Sequence, residues 1–222
     1  MNKNGIKALV FDAYGTLFDV HSVIEKCNEL FDGKGVEISK TWREKQLEYA
    51  NLHQIMGNYK SFYQITNHAL HYAVKLHDEQ LDKRAENELL KAYLQLSTFP
   101  EVKDVLTQLQ DKKLAVFSNG SHDMLDPLIK QSKITDIFDQ IISVDEIKQF
   151  KPAVASYKYA AKELKVKPEE VLFMSSNGWD ISGAKNYGFH TAWINRQNLP
   201  IEEMDMEPTI IYHDLTGILE WK

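Results

Sequence analysis

The run Ile6-Lys7-Ala8-Leu9-Val10-Phe11 is almost wholly apolar, stops abruptly on the carboxylate Asp12, and turns at Gly15. A strand covered by helices on both faces reads this way, because neither face of its sheet meets water. Ligands of such sheets gather outside the carboxyl ends of the strands, so Asp12 is placed where chemistry would occur. The feature commits the chain to the α/β class and gives it a candidate nucleophile.

The alternation of strand and helix then lapses. Between residues 19 and 97 four segments with helical period are expected, near His21–Phe31, Ser39–Met56, Tyr59–Val74 and Asp82–Leu96, with Ser39 as N-cap of the second. From Pro100 the alternation returns. Helices are expected near Glu101–Asp111, Met124–Lys130, Ala153–Leu164 and Ile181–Tyr187. Strands are expected at Leu114–Ser118, Gln140–Val144, Val171–Ser175 and Thr191–Ile194, with a last one near Thr209–Tyr212. Repeated βα units imply a parallel sheet with helices on both faces. The expected architecture is α/β, a Rossmann-like parallel sheet core (residues 1–18 and 98–222) interrupted by an inserted helical cap (residues 19–97).

Composition narrows the partners. With 43% apolar residues in 222 the chain can bury a proper core. Its net charge of -6, with lysines and arginines scattered, argues against a nucleic-acid partner. No signal-like segment opens the sequence, and no apolar stretch of about 18 residues follows, so no membrane partner and a cytoplasmic location are expected. Cys27 is alone, which excludes an intrachain disulfide and makes a thiolate metal site implausible; it reads as a small buried hydrophobe. The eight histidines form no H-x-H or H-E-x-x-H pattern, and His68 and His71 read as solvent-facing.

Polar residues follow the strand ends in order: Asp12, then Ser118-Asn119-Gly120, then Lys151-Pro152, then Ser175-Ser176-Asn177 with Asp180. One Ser-Asn pair after a strand would be a turn or cap. Four clusters differ, because a parallel sheet brings its carboxyl ends to one rim. The order resembles the four motifs of the haloacid dehalogenase superfamily. Within it the chain resembles the (S)-2-haloacid dehalogenase branch, through F-D-A-Y-G-T-L-F-D at Phe11–Asp19, S-N-G at Ser118–Gly120, F-K-P at Phe150–Pro152 with Tyr157, and S-S-N-G-W-D at Ser175–Asp180. The cap sequence T-W-R-E-K-Q-L-E-Y around Arg43 is also similar to that branch.

Two positions separate this branch from the superfamily's phosphatases. Tyr14 stands where a phosphatase carries the aspartate that protonates a departing alkoxide. Halide leaves without a proton, and an ordinary tyrosine is a poor acid. Ser176 stands where an aspartate would help bind Mg²⁺, and a hydroxyl lacks the charge a hard cation wants. A metal-free site with no cofactor is therefore expected.

The resemblance implies hydrolytic dehalogenation of short-chain (S)-2-haloalkanoic acids to (R)-2-hydroxyalkanoic acids. The Asp12 carboxylate attacks C2, halide leaves with inversion, and water hydrolyses the aspartyl ester. By resemblance, Lys151 and Thr16 position Asp12, while Asp180 and Asn177 orient Lys151 and the water. Ser118 and backbone amides hold the substrate carboxylate, supported by Ser175 and Tyr157. Arg43 and Asn119 receive the halide, and Ala13, Tyr14, Leu47, Phe62 and Trp179 complete the substrate pocket. Read without the resemblance, Arg43 belongs to a charged helix face, and Leu47 and Phe62 to a helical core. The expected partners are the 2-haloacid and its halide product, with a homodimer plausible. The competing readings are a small-molecule phosphatase of the same superfamily and a non-catalytic carboxylate-binding relative.

Overall fold

The computed structural model describes residues 5–109 and 111–222. By its internal contacts the chain divides into two compact units. One takes the chain up to Phe18, Thr98–Asn119 and the chain from Lys133 on; the other takes Asp19–Ser97 and Gly120–Ser132.

The first unit is a six-stranded, wholly parallel sheet. Its strands are β1 (Ala8–Phe11), β2 (Lys113–Ser118), β3 (Gln140–Ser143), β4 (Val171–Ser175), β5 (His190–Ile194) and β6 (Ile210–Tyr212), in the order β3-β2-β1-β4-β5-β6. The apolar opening run is the central strand. Ala8 to Phe11 are at most 1% exposed, and all of β4 is buried, as a strand covered on both faces requires. Phe11 lies level with Val116 of β2 and Met174 of β4. Asp12 therefore leaves the sheet beside Ser175, and its N–H donates to the Met174 carbonyl at 2.8 Å. Helices α5 (Val102–Gln108), α7 (Val154–Leu164) and α8 (Gly178–Tyr187) connect or cover these strands.

Beyond β1 the chain folds back. The Gly15 N–H donates to the Phe18 carbonyl at 2.7 Å, and the Ala13 carbonyl accepts from Leu17 and Phe18 at 2.9 and 3.0 Å. Gly15 has φ +87°, and a β-carbon there would stand 3.0 Å from Ser176 Oγ. Glycine supplies both the left-handed conformation and the clearance.

The helical unit contains α1 (Ile24–Leu30), α2 (Gly35–Ile55), α3 (Phe62–Leu76), α4 (Lys83–Tyr93) and α6 (His122–Gln131). Residues 120–132 follow β2 in the chain yet group here, so the expected core segment 98–222 is interrupted at α6. Ser39 is not the cap of its helix. α2 begins at Gly35, whose N–H is held by Asn28 Oδ1 at 2.7 Å, and Ser39 Oγ instead sits 2.9 Å from His21 Nδ1. α3 begins at Phe62, later than expected, because Ser61 and Gln64 form a reciprocal capping box. Asp82 caps α4 by accepting the Ala85 N–H at 2.7 Å. Trp42 anchors the interior: its Nε1 donates to the Thr66 carbonyl at 2.8 Å, and its ring lies 4.9 Å from that of Tyr93. Cys27 is buried, with its thiol pushed up to about 12 by burial. His68 and His71 are exposed.

Candidate active site

The carboxyl edge of the sheet gathers side chains from three strand ends and two helices around Asp12, which is 5% exposed. Lys151 Nζ donates to Asp12 Oδ1 at 3.0 Å, to Asp180 Oδ2 at 2.6 Å and to the Phe117 carbonyl at 3.1 Å. The other nucleophile oxygen, Asp12 Oδ2, accepts from Asn177 Nδ2 at 2.9 Å, Thr16 Oγ1 at 3.1 Å and Ser175 Oγ at 3.3 Å. Asn177 Nδ2 also lies 3.3 Å from the Tyr14 carbonyl. Lys151, Ser175 and Asn177 come from the strand-end clusters read in the sequence, and Thr16 from the turn that follows Asp12.

Lys151 is 1% exposed and carries its charge in an apolar cage. Its Nζ lies 4.9 Å from the Phe117 ring centroid and 5.1 Å from that of Phe173. Burial pulls its pKa down, but the Asp12 and Asp180 charges more than offset this, so it ends above the ordinary lysine value. Asp180 is fully buried, and desolvation raises it to about 6 against the pull of Lys151. Tyr157 OH donates to Asp180 Oδ1 at 2.7 Å and lies 3.2 Å from its carbonyl. Burial and the Asp180 charge raise this phenol well above 10, which keeps it a donor.

Asn119 does more than the sequence implies. Its Oδ1 accepts the Lys151 N–H at 2.8 Å and its Nδ2 lies 3.3 Å from the Lys151 carbonyl, so both ends of its amide hold the lysine backbone. Ser118 is buried at the end of β2, level with Ser143. Ala13 and Tyr14 are buried in the turn after Asp12, and Trp179 is half-buried in the first turn of α8. Arg43, Leu47 and Phe62 belong to the helical unit. There Arg43 is half-buried and its Nη1 donates to Gln46 Oε1 at 2.7 Å; the same oxygen accepts from Tyr93 OH at 2.9 Å. Gln46 Nε2 in turn donates to Thr66 Oγ1 at 2.6 Å. Arg43 is thus part of an ordered polar network, not a solvated face. Phe62 is buried and Leu47 half-buried.

Sequence reasoning missed the Phe117 carbonyl and the Phe117 and Phe173 rings around Lys151. It also missed the Ser176 N–H, which donates to Thr16 Oγ1 at 2.8 Å and leaves that hydroxyl's proton for Asp12. Backbone groups and cage rings carry no residue-type signal. At the positions where a phosphatase keeps acids, the oxygens on offer are the Tyr14 phenol and the Ser176 hydroxyl, and these do not fit a hard divalent cation.

A parallel sheet presenting an aspartate clamped by lysine, asparagine and hydroxyl donors at its carboxyl edge is the arrangement of a hydrolase site built on a carboxylate. Residues 6–188 match the haloacid dehalogenase-like hydrolase family, and the chain belongs to it. An (S)-2-haloacid dehalogenase of Pseudomonas sp. (strain YL) is 42% identical over 217 residues, spanning 97% of this chain and 94% of that protein. Among solved structures, an L-2-haloacid dehalogenase is similar with a TM-score of 0.95 at 40% identity, over 97% of this chain and 98% of that one. The L-2-haloacid dehalogenase from Xanthobacter autotrophicus with chloropropionic acid covalently bound gives a TM-score of 0.90 at 36% identity, over 97% of each chain.

Proposed function

We propose that the chain hydrolyses the carbon–halogen bond of short-chain (S)-2-haloalkanoic acids, giving (R)-2-hydroxyalkanoic acids. The observation that carries this reading is the Asp12 clamp: Oδ1 takes Lys151 and Oδ2 takes three neutral donors, while positions 14 and 176 offer no second acid. Its likeness over almost the full chain to (S)-2-haloacid dehalogenases supports the same conclusion.

An Asp12 carboxylate oxygen attacks C2 from the side opposite the halogen. The new C–O bond forms as the carbon–halogen bond breaks, and halide leaves with its electron pair. Water then adds at Asp12 Cγ, the ester bond at that carbon breaks, and the hydroxy acid departs with C2 inverted once. Hydrolysis releases a proton. Asp180, raised to about 6 by burial, is the buried carboxylate suited to take it, with Lys151 and Asn177 holding the groups in place. Ser118 and neighbouring amides bind the substrate carboxylate. Tyr14 and Trp179 enclose its apolar part, where exclusion of water enlarges electrostatic effects. Arg43 takes the developing halide charge, a role assigned by the likeness of the sequence around it. The reaction needs no metal ion.

The test is halide release from (S)-2-chloropropionate after exhaustive EDTA treatment, beside release of p-nitrophenol from its phosphate ester with and without Mg²⁺. Undiminished chloride release in chelator supports the reading; loss of it with Mg²⁺-dependent phosphate hydrolysis overturns it. A single turnover in heavy-oxygen water with excess enzyme places the label in the Asp12 carboxylate and none in the hydroxy acid. The reverse distribution would make Asp12 a general base.

A further inference from the structure

The geometry points to Arg196 as a positioning residue that holds Thr16, and through it the nucleophile Asp12, from the far side of the Ala13–Phe18 turn. The inference rests on the reading of Asp12 as nucleophile. Arg196 follows β5 by two residues, and its side chain is 16% exposed. Its Nη2 donates to the Thr16 carbonyl at 3.0 Å and pairs with Glu101 Oε1 at 2.7 Å, while its guanidinium carbon lies 3.7 Å over the Phe99 ring centroid. Phe99 is itself tied to the turn, its N–H donating to the Leu17 carbonyl at 3.1 Å. Glu101 also accepts from the Leu215 N–H at 3.3 Å, which braces the carboxylate.

The consequence lies in what Thr16 does on its other side. Its hydroxyl has one proton, donated to Asp12 Oδ2 at 3.1 Å, and it receives the Ser176 N–H at 2.8 Å. The orientation of that hydroxyl depends on the Thr16 backbone, and the backbone is gripped by Arg196 through its carbonyl. Without the guanidinium the turn keeps its internal bonds to Ala13 but loses its outer anchor and the stacked cation. A small displacement of a group that orients a nucleophile is costly to turnover, since reaction requires near-attack geometry. Arg196 does not touch the reacting atoms. It acts through a neutral backbone oxygen, so its loss bears on kcat and not on substrate binding.

The experiment is a cycle of Arg196→Ala, Thr16→Ala and the double variant, assayed for kcat and KM on (S)-2-chloropropionate. Arg196→Ala is expected to lower kcat by about tenfold or more with KM within about twofold. Once the Thr16 hydroxyl is gone there is nothing left for Arg196 to orient. The double variant should therefore turn over no more slowly than Thr16→Ala. Arg196→Lys, shorter and unable to stack as a plane, should recover part of the loss. Full turnover in folded Arg196→Ala, or losses that multiply in the double variant, would overturn the inference. Amide exchange of the segment 13–18 reads the clamp independently of activity. It should quicken in Arg196→Ala while β4 stays unchanged, and unchanged exchange in the segment sinks the clamp even if no haloacid proves to be a substrate. Absence of halide release from the wild-type protein would instead sink the functional reading.

Discussion

Replacing Lys151 with methionine keeps an unbranched side chain of similar volume, one atom shorter, and removes one charge from a fully buried part of the site. The ammonium touches both Asp12 and Asp180 at 3.0 and 2.6 Å and is 1% exposed. Methionine fills nearly the same volume between the Phe117 and Phe173 rings, so the cavity penalty is small and the electrostatic one dominates. Removing one partner of a buried ion pair costs about 3–5 kcal/mol, because the remaining charge is left uncompensated. Two carboxylates are left here, which favours the upper end. For a protein of this length each kcal/mol moves Tm by about 2–4 °C, so a fall of about 10 °C or more is expected by calorimetry at pH 7.

Partial relief comes from neutralising the second carboxylate. Lys151→Met with Asp180→Asn should recover much of the lost stability and none of the activity, which separates folding from catalysis. The pH dependence gives a further check. In the wild type the folded pKa of Lys151 is raised, so its contribution is fully present below the unfolded lysine value and is lost only as pH climbs through the folded one. In Lys151→Met the folded Asp180, already raised to about 6 by burial with the lysine present, holds its proton more tightly than the unfolded chain does, so this variant should lose stability as pH climbs from about 4 through 6 and beyond. A Tm within about 2 °C of wild type at pH 7 would refute the account of Lys151 as the charge on which the site folds.

Activity should fall on the acid side with an apparent pKa near 6, as Asp180 takes a proton and ceases to anchor Lys151. This limb belongs to the hydrogen-bonded Lys151–Asp180 pair and not to one residue. The sign for stability is the opposite: a carboxylate raised by folding contributes less as pH rises from about 4 to 6. Tyr157→Phe removes the 2.7 Å hydrogen bond to ionised Asp180, so the limb in a kcat/KM profile should move toward neutrality by about one unit. Gly183→Ala would put a β-carbon 2.5 Å from Tyr157 OH and 2.6 Å from Pro152 Cβ. Despite alanine's better helix propensity, it should destabilise by about 1–3 kcal/mol in chemical denaturation and reduce turnover as Tyr157 is displaced.

The rim of the site was legible because a parallel sheet converts chain order into spatial order. Asp12, Ser175, Asn177 and Asp180 each follow an apolar run or open the next helix, Lys151 sits in the turn between β3 and α7, and the structure joins them by direct hydrogen bonds. What escaped reading depends on coordinates and not on residue type. Ser39 is a good cap by identity, yet α2 starts four residues earlier, where Asn28 supplies an acceptor from another helix. Arg196 falls just past the strand expected at Thr191–Ile194 and carries no motif; only the fold shows its guanidinium on the Thr16 carbonyl. Residues 120–132 were assigned by their neighbours in the chain, whereas their grouping is set by what they pack against.

The charge of the sheet's own constellation leads to the last expectation. Asp12 and Asp180 carry one negative charge each and Lys151 one positive, leaving the set net negative before a carboxylate substrate arrives. Neutral donors such as Ser118 can orient an anion but do not reverse that sign, and a leaving halide adds negative charge as the bond breaks. The proposed reaction therefore requires a further cation, and Arg43 is the residue that the sequence of its helix nominates. Its own surroundings suit the task. Gln46 Oε1, held by Tyr93 and fixed through Thr66, accepts one guanidinium nitrogen at 2.7 Å and so fixes the direction of the side chain. Arg43→Ala should lower kcat by ~100-fold or more while Tm changes little, as for loss of one charge-stabilising donor. Gln46→Leu, which leaves the charge but frees its direction, should lower kcat by a smaller factor. Bromide, the better leaving group, asks less of the cation, so the Arg43→Ala loss should be smaller for 2-bromopropionate than for 2-chloropropionate. Equal losses for the two halides would place Arg43 at the substrate carboxylate instead, and undiminished turnover would leave it a structural member of the helical unit.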